Sequence, residues 1–429
     1  MTKTSLGINN SGDGGVGWTG LGRRDFMKIG GAGAMLAFLA GCSPSSHAGE
    51  DKSLTLTSWD FSDPVQTAAK LFTETTGTTV ENNRYPYDQY LNQLVLSARS
   101  GRLTGIVHID EEWMSTLVTA GLIEPLDAVV DESQYLDVVR EAGTYEGARF
   151  GMPWAQSAIG LVSNEKLLKN LGVDTSSVRT IDDFTQMLRH IKDEDSSLIP
   201  YTPCTAVTQL KDFIPWIWSF GGNIYDGHEV TLGDAGSREA LDYWKMLLDE
   251  DLIQAGVNRY SARNIFAQER TPIYDDAPQA ITFIPGQSSN PDIAAKMGPL
   301  PRPSVNGDKS PNMLWSQPLV ALDNAPHTVE ALRFLSTNTK ALHTMFEGLG
   351  NPPTTSEAVE ASWFTADEFY RRWTSDVTLN VRRNPLWEFS IATNAQREFD
   401  EAIERGLRGS ASTAQALAEG REALTELLT

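Results

Sequence analysis

The pattern that most narrows the fold lies in residues 54–121, where apolar periodicity switches between two and about 3.6 and back again. Residues 54–59 alternate apolar and polar, which predicts a half-buried strand. Asp63-Pro64 then offers an N-cap followed by proline, and Val65, Ala68, Ala69, Leu71 and Phe72 share one helical face. Gly77 ends that helix. Residues 78–80 and 105–109 read as further strands, and Tyr90, Leu91, Leu94, Val95 and Ala98 as a second helical face. A helix over 113–120 closes at Gly121. Strand and helix in alternation predict an α/β sheet with helices on its faces.

The pattern continues to the end of the chain. Strands are expected at 158–162, 280–283 and 319–322, and helices at 166–171, 181–191, 213–220 and 237–248. Thr180 stands as the N-cap of the helix from 181. The stretch 285–313, rich in Pro, Gly, Asn and Ser, reads as a long loop or crossover, and the chain after 365 as almost wholly helical. With 429 residues, two domains are the expectation, and the chain is long enough to bury a core without disulfides.

The front of the chain is an address rather than a fold. Arg23-Arg24 precedes an apolar run over 29–40, too short for the about 20 residues that span a bilayer. Arg23-Arg24-x-Phe26-Met27-Lys28 resembles a twin-arginine export signal, and Leu39-Ala40-Gly41-Cys42 resembles the bacterial lipobox, which makes Cys42 a lipid anchor. These signals divide the chain into a signal peptide at 1–41 and a tether at 42–50. Cys42 and Cys204 are the only cysteines. A disulfide between them is conceivable, but acylation of Cys42 leaves Cys204 a lone, buried thiol.

The formal net charge of −21 argues against nucleic acid as a partner, since phosphate binding needs clustered Lys and Arg. Enzymatic signatures are missing. There is no phosphate-binding G-x-x-x-x-G-K-[ST] loop, no H-E-x-x-H and no G-x-S-x-G elbow. The histidines are scattered, so no metal site or cofactor is expected. Ser163-x-x-Lys166 reads as the start of a helix, and the paired acids Glu111-Glu112 and Asp275-Asp276 as solvated surface more readily than as a glycosidase pair. What stands out is aromatic. Trp216, Trp244, Trp363 and Trp373 sit at helical spacing and are expected in the core. Trp59 before Asp60, Trp154 after Pro153, and Trp315 before Ser316 and Gln317 sit where strands end. Ligands of open α/β sheets bind beyond the carboxyl ends of strands. A flat ring can cover the C–H face of a sugar while short polar side chains meet its hydroxyls.

In order and spacing, several blocks resemble the extracellular solute-binding proteins of ABC importers, in the carbohydrate-binding group that includes maltose-binding protein. They are the strand at 54–59, the helix ending Phe72-x-x-x-Thr76-Gly77, and Asp110 followed by Ala120-Gly121-Leu122-Ile123-Glu124-Pro125-Leu126. Residues 145–153 with 160–167, 171–173 with 180–184, 266–273 and 348–353 continue the likeness. The resemblance implies a two-lobed α/β protein, the periplasmic-binding-protein fold, with a ligand cleft between lobes that close by hinge motion. One lobe is expected from 51–155 plus about 296–345, the other from 156–295 plus about 346–429, with crossings near 155–158 and 293–299. It further implies a non-enzymatic, monomeric receptor anchored outside the cytoplasmic membrane. Such a receptor captures a sugar or oligosaccharide and delivers it to a permease and its ATPase. The cleft residues carried over are Trp59, Asp60, Tyr87, Asp110, Glu112, Trp154, Trp218, Asp275, Trp315 and Trp387, the acids as acceptors of hydroxyl hydrogen bonds. A non-sugar ligand remains an alternative, a polyamine in an acidic cleft or iron at Tyr85, Tyr87 and Tyr90, as does a surface glycosidase.

Overall fold

A computed structural model describes residues 53–59, 63–126 and 131–428. Arg23, Arg24, Cys42 and Asp60 lie outside the described residues.

The strand Ser53–Ser58 runs parallel to Thr79–Arg84 on one side and to Ile106–His108 on the other. The connecting helices are Asp63–Thr76 and Tyr87–Arg99. The first begins at Asp63 itself and buries Val65, Ala68, Ala69 and Phe72. Gly77 follows at φ 77°, a left-handed conformation that glycine adopts without a Cβ clash.

Two long strands carry the chain through both lobes. Gly151–Asn164 is buried along its whole length and lies antiparallel to Asn312–Ala321. Asn312–Ala321 in turn lies antiparallel to Ile106–His108. The far half of Gly151–Asn164 pairs with Ile273–Asp276 and with Met297–Leu300. Along Gly151–Asn164 the packing changes partners. Trp154 joins the core that holds Leu56, Phe72 and Leu332, whereas Ile159 and Leu161 join the one that holds Phe184, Trp216 and Trp244. These cores define a first and a second lobe.

The ladder between the two long strands is irregular at one place. Pro153 faces Pro318, and Ala155 faces Gln317, so Trp154 is an extra, bulged residue. Neither proline has an N–H to donate, and a bulge re-aims the side chain it carries. Gly160 admits a close neighbour: a Cβ there would lie 2.6 Å from Val377. The helix Ile181–Glu194 opens with a capping box, Thr180 Oγ1 accepting from the Asp183 amide and Asp183 accepting from the Thr180 amide.

Several expectations change. Residues 280–283 form a helical turn, Ala280–Phe283, not a strand. Pro278 starts that turn, and a short apolar run does not by itself separate strand from helix. The stretch 285–313 contains the strand Met297–Leu300 and the start of Asn312–Ala321. The helical tail is interrupted by a π-helical turn Thr374–Thr378, a short strand Val381–Arg382 and a 3-10 turn Pro385–Glu388, before Ala392–Leu407 and Thr413–Leu428. Met297–Leu300 pairs with the far half of Gly151–Asn164, and on Asn312–Ala321 Met313 and Trp315 pack on the second-lobe core while Leu314 packs on the first. Among the described residues no helix is long and apolar enough to cross a membrane.

Candidate ligand-binding cleft

Where the two lobes meet there is a cavity of about 610 Å³. Its first-lobe wall starts at the carboxyl ends of the parallel strands. Trp59 follows Ser53–Ser58, and its indole stacks on the His108 ring at 3.7 Å between centroids. The edges of Tyr87, Tyr90 and Trp113 surround it at 5.1–5.7 Å. Tyr90 Oη lies 3.0 Å from the Thr57 carbonyl and 2.8 Å from that of His108, tying the helix Tyr87–Arg99 to two strand ends. The indole is thus fixed before any ligand arrives.

His108 is buried, with Nδ1 3.1 Å from Ser58 Oγ. Burial pushes its pKa from the ordinary 6.5 down to about 3. Its folded pKa is the lower one, so the stability it contributes is complete above pH 6.5 and is lost as pH falls through that window toward about 3. Urea unfolding across the window should show a steeper loss for the wild type than for His108→Asn. Equal slopes would show that His108 does not drive it.

Asp110 stands behind this wall. Its carboxylate accepts from Tyr87 Oη at 2.6 Å, Trp315 Nε1 at 3.0 Å and Gln317 Nε2 at 3.0 Å. Burial, with the Glu112 charge, pushes its pKa up against the pull of Lys211 and these donors. The expected acceptor for ligand hydroxyls is therefore occupied by protein donors, and Asp110 instead sets the pose of two aromatic rings.

Glu112 does line the cavity, and it meets the other lobe there. The Lys211 ammonium lies 2.8 Å from Glu112 Oε2 and 3.9 Å above the centre of the Trp315 ring. The second-lobe wall is built on the helix Arg259–Ala267. Arg263 makes a two-pronged contact with Asp276 at 2.7 and 2.8 Å, and Arg259 is held by Asp212 and by the Asp275 carbonyl. Burial opposes ionisation of Asp276, but the Arg263 and Arg259 guanidiniums hold its pKa below the usual carboxylate range. Gln279 Oε1 accepts from Ser157 at 2.7 Å, and its amide donates to Asn351.

Of the residues read from sequence, Trp59, Tyr87, Glu112, Trp154 and Trp315 line the cavity. Asp110 touches it only through Tyr87, Trp315 and Gln317. Asp275 is placed in the second-lobe interior, 1% exposed, paired with Arg302 at 2.7 Å and accepting from Tyr201. Its neighbour Asp276 lines the cavity instead, because adjacent strand residues point to opposite faces. Trp218 and Trp387 are packed in the second-lobe core, 6% and 5% exposed. Trp387 lies 6.4 Å from Trp315 and backs the cleft rather than lining it. Lys211, Arg259, Arg263 and Gln279 were not anticipated. Charged and amide side chains at this spacing carry no sequence signal of burial.

A family model described as bacterial extracellular solute-binding protein matches residues 67–370. The chain belongs to that family. Among curated proteins, a maltotriose-binding protein of Pyrococcus abyssi is 21% identical over 284 residues, 62% of this chain and 58% of its own. A binding protein of Brucella abortus is 22% identical over 213 residues, 48% of this chain and 52% of its own. The chain thus spans about half the length of the curated relatives it matches. Among solved structures, the GacH receptor of Streptomyces glaucescens, described unliganded and with acarbose, matches with a TM-score of 0.78 at 18% identity, over 88% of this chain and 98% of that one. Maltose-bound MalE3 of T. maritima matches with a TM-score of 0.76 at 18% identity, over 88% of this chain and all of that one. These likenesses establish the two-lobed fold of this solute-binding protein.

Proposed function

We propose that this solute-binding protein captures a neutral sugar or oligosaccharide outside the cell and presents it to the permease of an ABC importer. The observation that carries the ligand class is that both carboxylates lining the cavity are paired with cations. Glu112 is matched by Lys211 and Asp276 by Arg263, and Asp110 is taken up by three uncharged donors. A polyamine would find the acids that line the cavity already paired with cations. Iron would need phenolates, whereas burial, Asp110 and neighbouring charge push the Tyr87 pKa well up, and Tyr90 already bridges two carbonyls. Indole faces beside fixed polar groups suit a ring that is apolar above and below and hydroxylated at its edge. Acarbose and maltose, held by proteins of the same fold, are of this class.

Calorimetric titration with maltose, maltotriose, spermidine and Fe³⁺ tests the reading. Saturable heat with a carbohydrate and none with spermidine or Fe³⁺ is expected. The reverse result would reject it, and release of reducing ends from a bound oligosaccharide would turn the assignment to a glycosidase. For the region outside the described residues, the same proposal includes export through Arg23-Arg24 and acylation of Cys42, with 42–50 as tether. Metabolic labelling with a fatty acid, lost in Cys42→Ala, is the corresponding check.

A further inference from the structure

Glu111 and Glu112 are adjacent acids that open the 3-10 turn Glu111–Trp113 at the rim of the first lobe. Glu112 faces the cavity. Glu111 is turned away from it and is 3% exposed, its carboxylate accepting from the Arg383 guanidinium and from the Ser316 hydroxyl. Neither Glu111 nor Arg383 lines the cavity. Arg383 is anchored on the opposite lobe. It follows the short strand Val381–Arg382 and precedes the turn Pro385–Glu388, whose Leu386 and Trp387 belong to the second-lobe core. The same seam continues with Thr116 Oγ1 3.4 Å from Thr393 Oγ1, on the second-lobe helix Ala392–Leu407.

We propose that Glu111 and Arg383 are positioning residues for ligand binding: they latch the closed lobes beside the cleft and set how long the ligand stays, without touching it. A contact present in the closed arrangement and absent in the open one favours closure by its whole differential strength. Hinge opening separates the guanidinium from the carboxylate, and each then takes water in place of its partner. Glu111 leaves an almost fully buried setting when it does so. The Lys211–Glu112 pair spans the same gap on the cavity side, but its members line the cleft, so its loss would mix closure with ligand contact. The Glu111–Arg383 pair separates the two effects.

The proposal rests on the cleft being the ligand site. Its test uses the full chain, the single variants Glu111→Gln and Arg383→Gln, and the double variant. With the carbohydrate identified by calorimetry, stopped-flow tryptophan fluorescence should show a dissociation rate raised on the order of tenfold and an unchanged association rate. The double variant should be no worse than either single one, because both remove the same contact. Hydrogen exchange gives a readout that needs no ligand. Arg383→Gln, a change in the second lobe, should speed exchange of the first-lobe amides at 111–119. Unchanged dissociation in both single variants, or unchanged exchange at 111–119, overturns the latch. If no carbohydrate binds, the proposed function fails by itself and exchange alone decides the latch. Should Glu111→Gln fail to fold, Arg383→Gln, whose side chain is 31% exposed, carries both measurements.

Discussion

Trp315→Ala is expected to remove most ligand affinity while leaving the protein folded. Trp315 occupies the return strand Asn312–Ala321 at the junction of the lobes and is only half-buried. Three roles converge on its indole. One face lies under the Lys211 ammonium at 3.9 Å, Nε1 donates to Asp110 at 3.0 Å, and the ring lines the cavity. Truncation takes away an apolar surface for a sugar ring, removes one donor from a buried carboxylate, and uncovers the lysine that Glu112 holds. Buried aromatic anchors of this kind are worth about 2 kcal/mol or more, roughly thirtyfold in Kd. Trp315→Phe keeps a ring but loses the N–H, so an intermediate loss is expected. Calorimetry of variants with wild-type circular dichroism is the measurement. A Kd within twofold of wild type for Trp315→Ala would show that the ligand lies elsewhere in the cleft.

The parts of this site that sequence made legible share a cause. Trp59 and Glu112 follow parallel strands, and in an open α/β sheet the carboxyl ends of such strands face the crevice. A strand pattern followed by an aromatic or an acid therefore locates them. Trp154 and Trp315, expected at strand ends, lie inside the antiparallel strands Gly151–Asn164 and Asn312–Ala321, and what turns Trp154 is a bulge between Pro153 and Pro318 that needs the partner strand to be seen. Asp110 sits at the expected strand end, but its carboxylate meets protein donors and does not line the cavity. Three donors reach it from residues 23, 205 and 207 positions away, and no local pattern contains them. Lys211 and Arg263 were missed for a related reason. In an acidic chain a lone cation reads as solvated, and only the fold brings Glu112 and Asp276 against them. The helical tail was over-read because apolar spacing persists through Trp373 and Val377, while Pro385 and the asparagines at 380 and 384 break the helix between them.

Asp275 and Asp276 offer the sharpest separation between stability and binding. The two are neighbours on Ile273–Asp276, and the strand points them to opposite sides. Asp275 meets Arg302 at 2.7 Å, accepts from Tyr201, and has its own carbonyl bonded by Arg259 at 2.6 Å. The side chains of the Asp275–Arg302 pair are 1% and 0% exposed. Removing one partner of a buried pair leaves the other charge in the interior without compensation, which costs about 3–5 kcal/mol. Asp275→Ala is therefore expected to lower the urea unfolding free energy by about that amount, with Arg302 left beside the Trp216 ring and no counter-charge of its own. Its folded fraction should bind ligand as the wild type does, since Asp275 does not line the cavity. Asp276→Ala should do more to affinity, because it frees the Arg263 fork that fixes a donor at the second-lobe wall. Urea titrations with and without saturating ligand measure both quantities on each variant. A ligand-affinity defect in Asp275→Ala without loss of stability would return that carboxylate to the cleft, where the sequence had first put it.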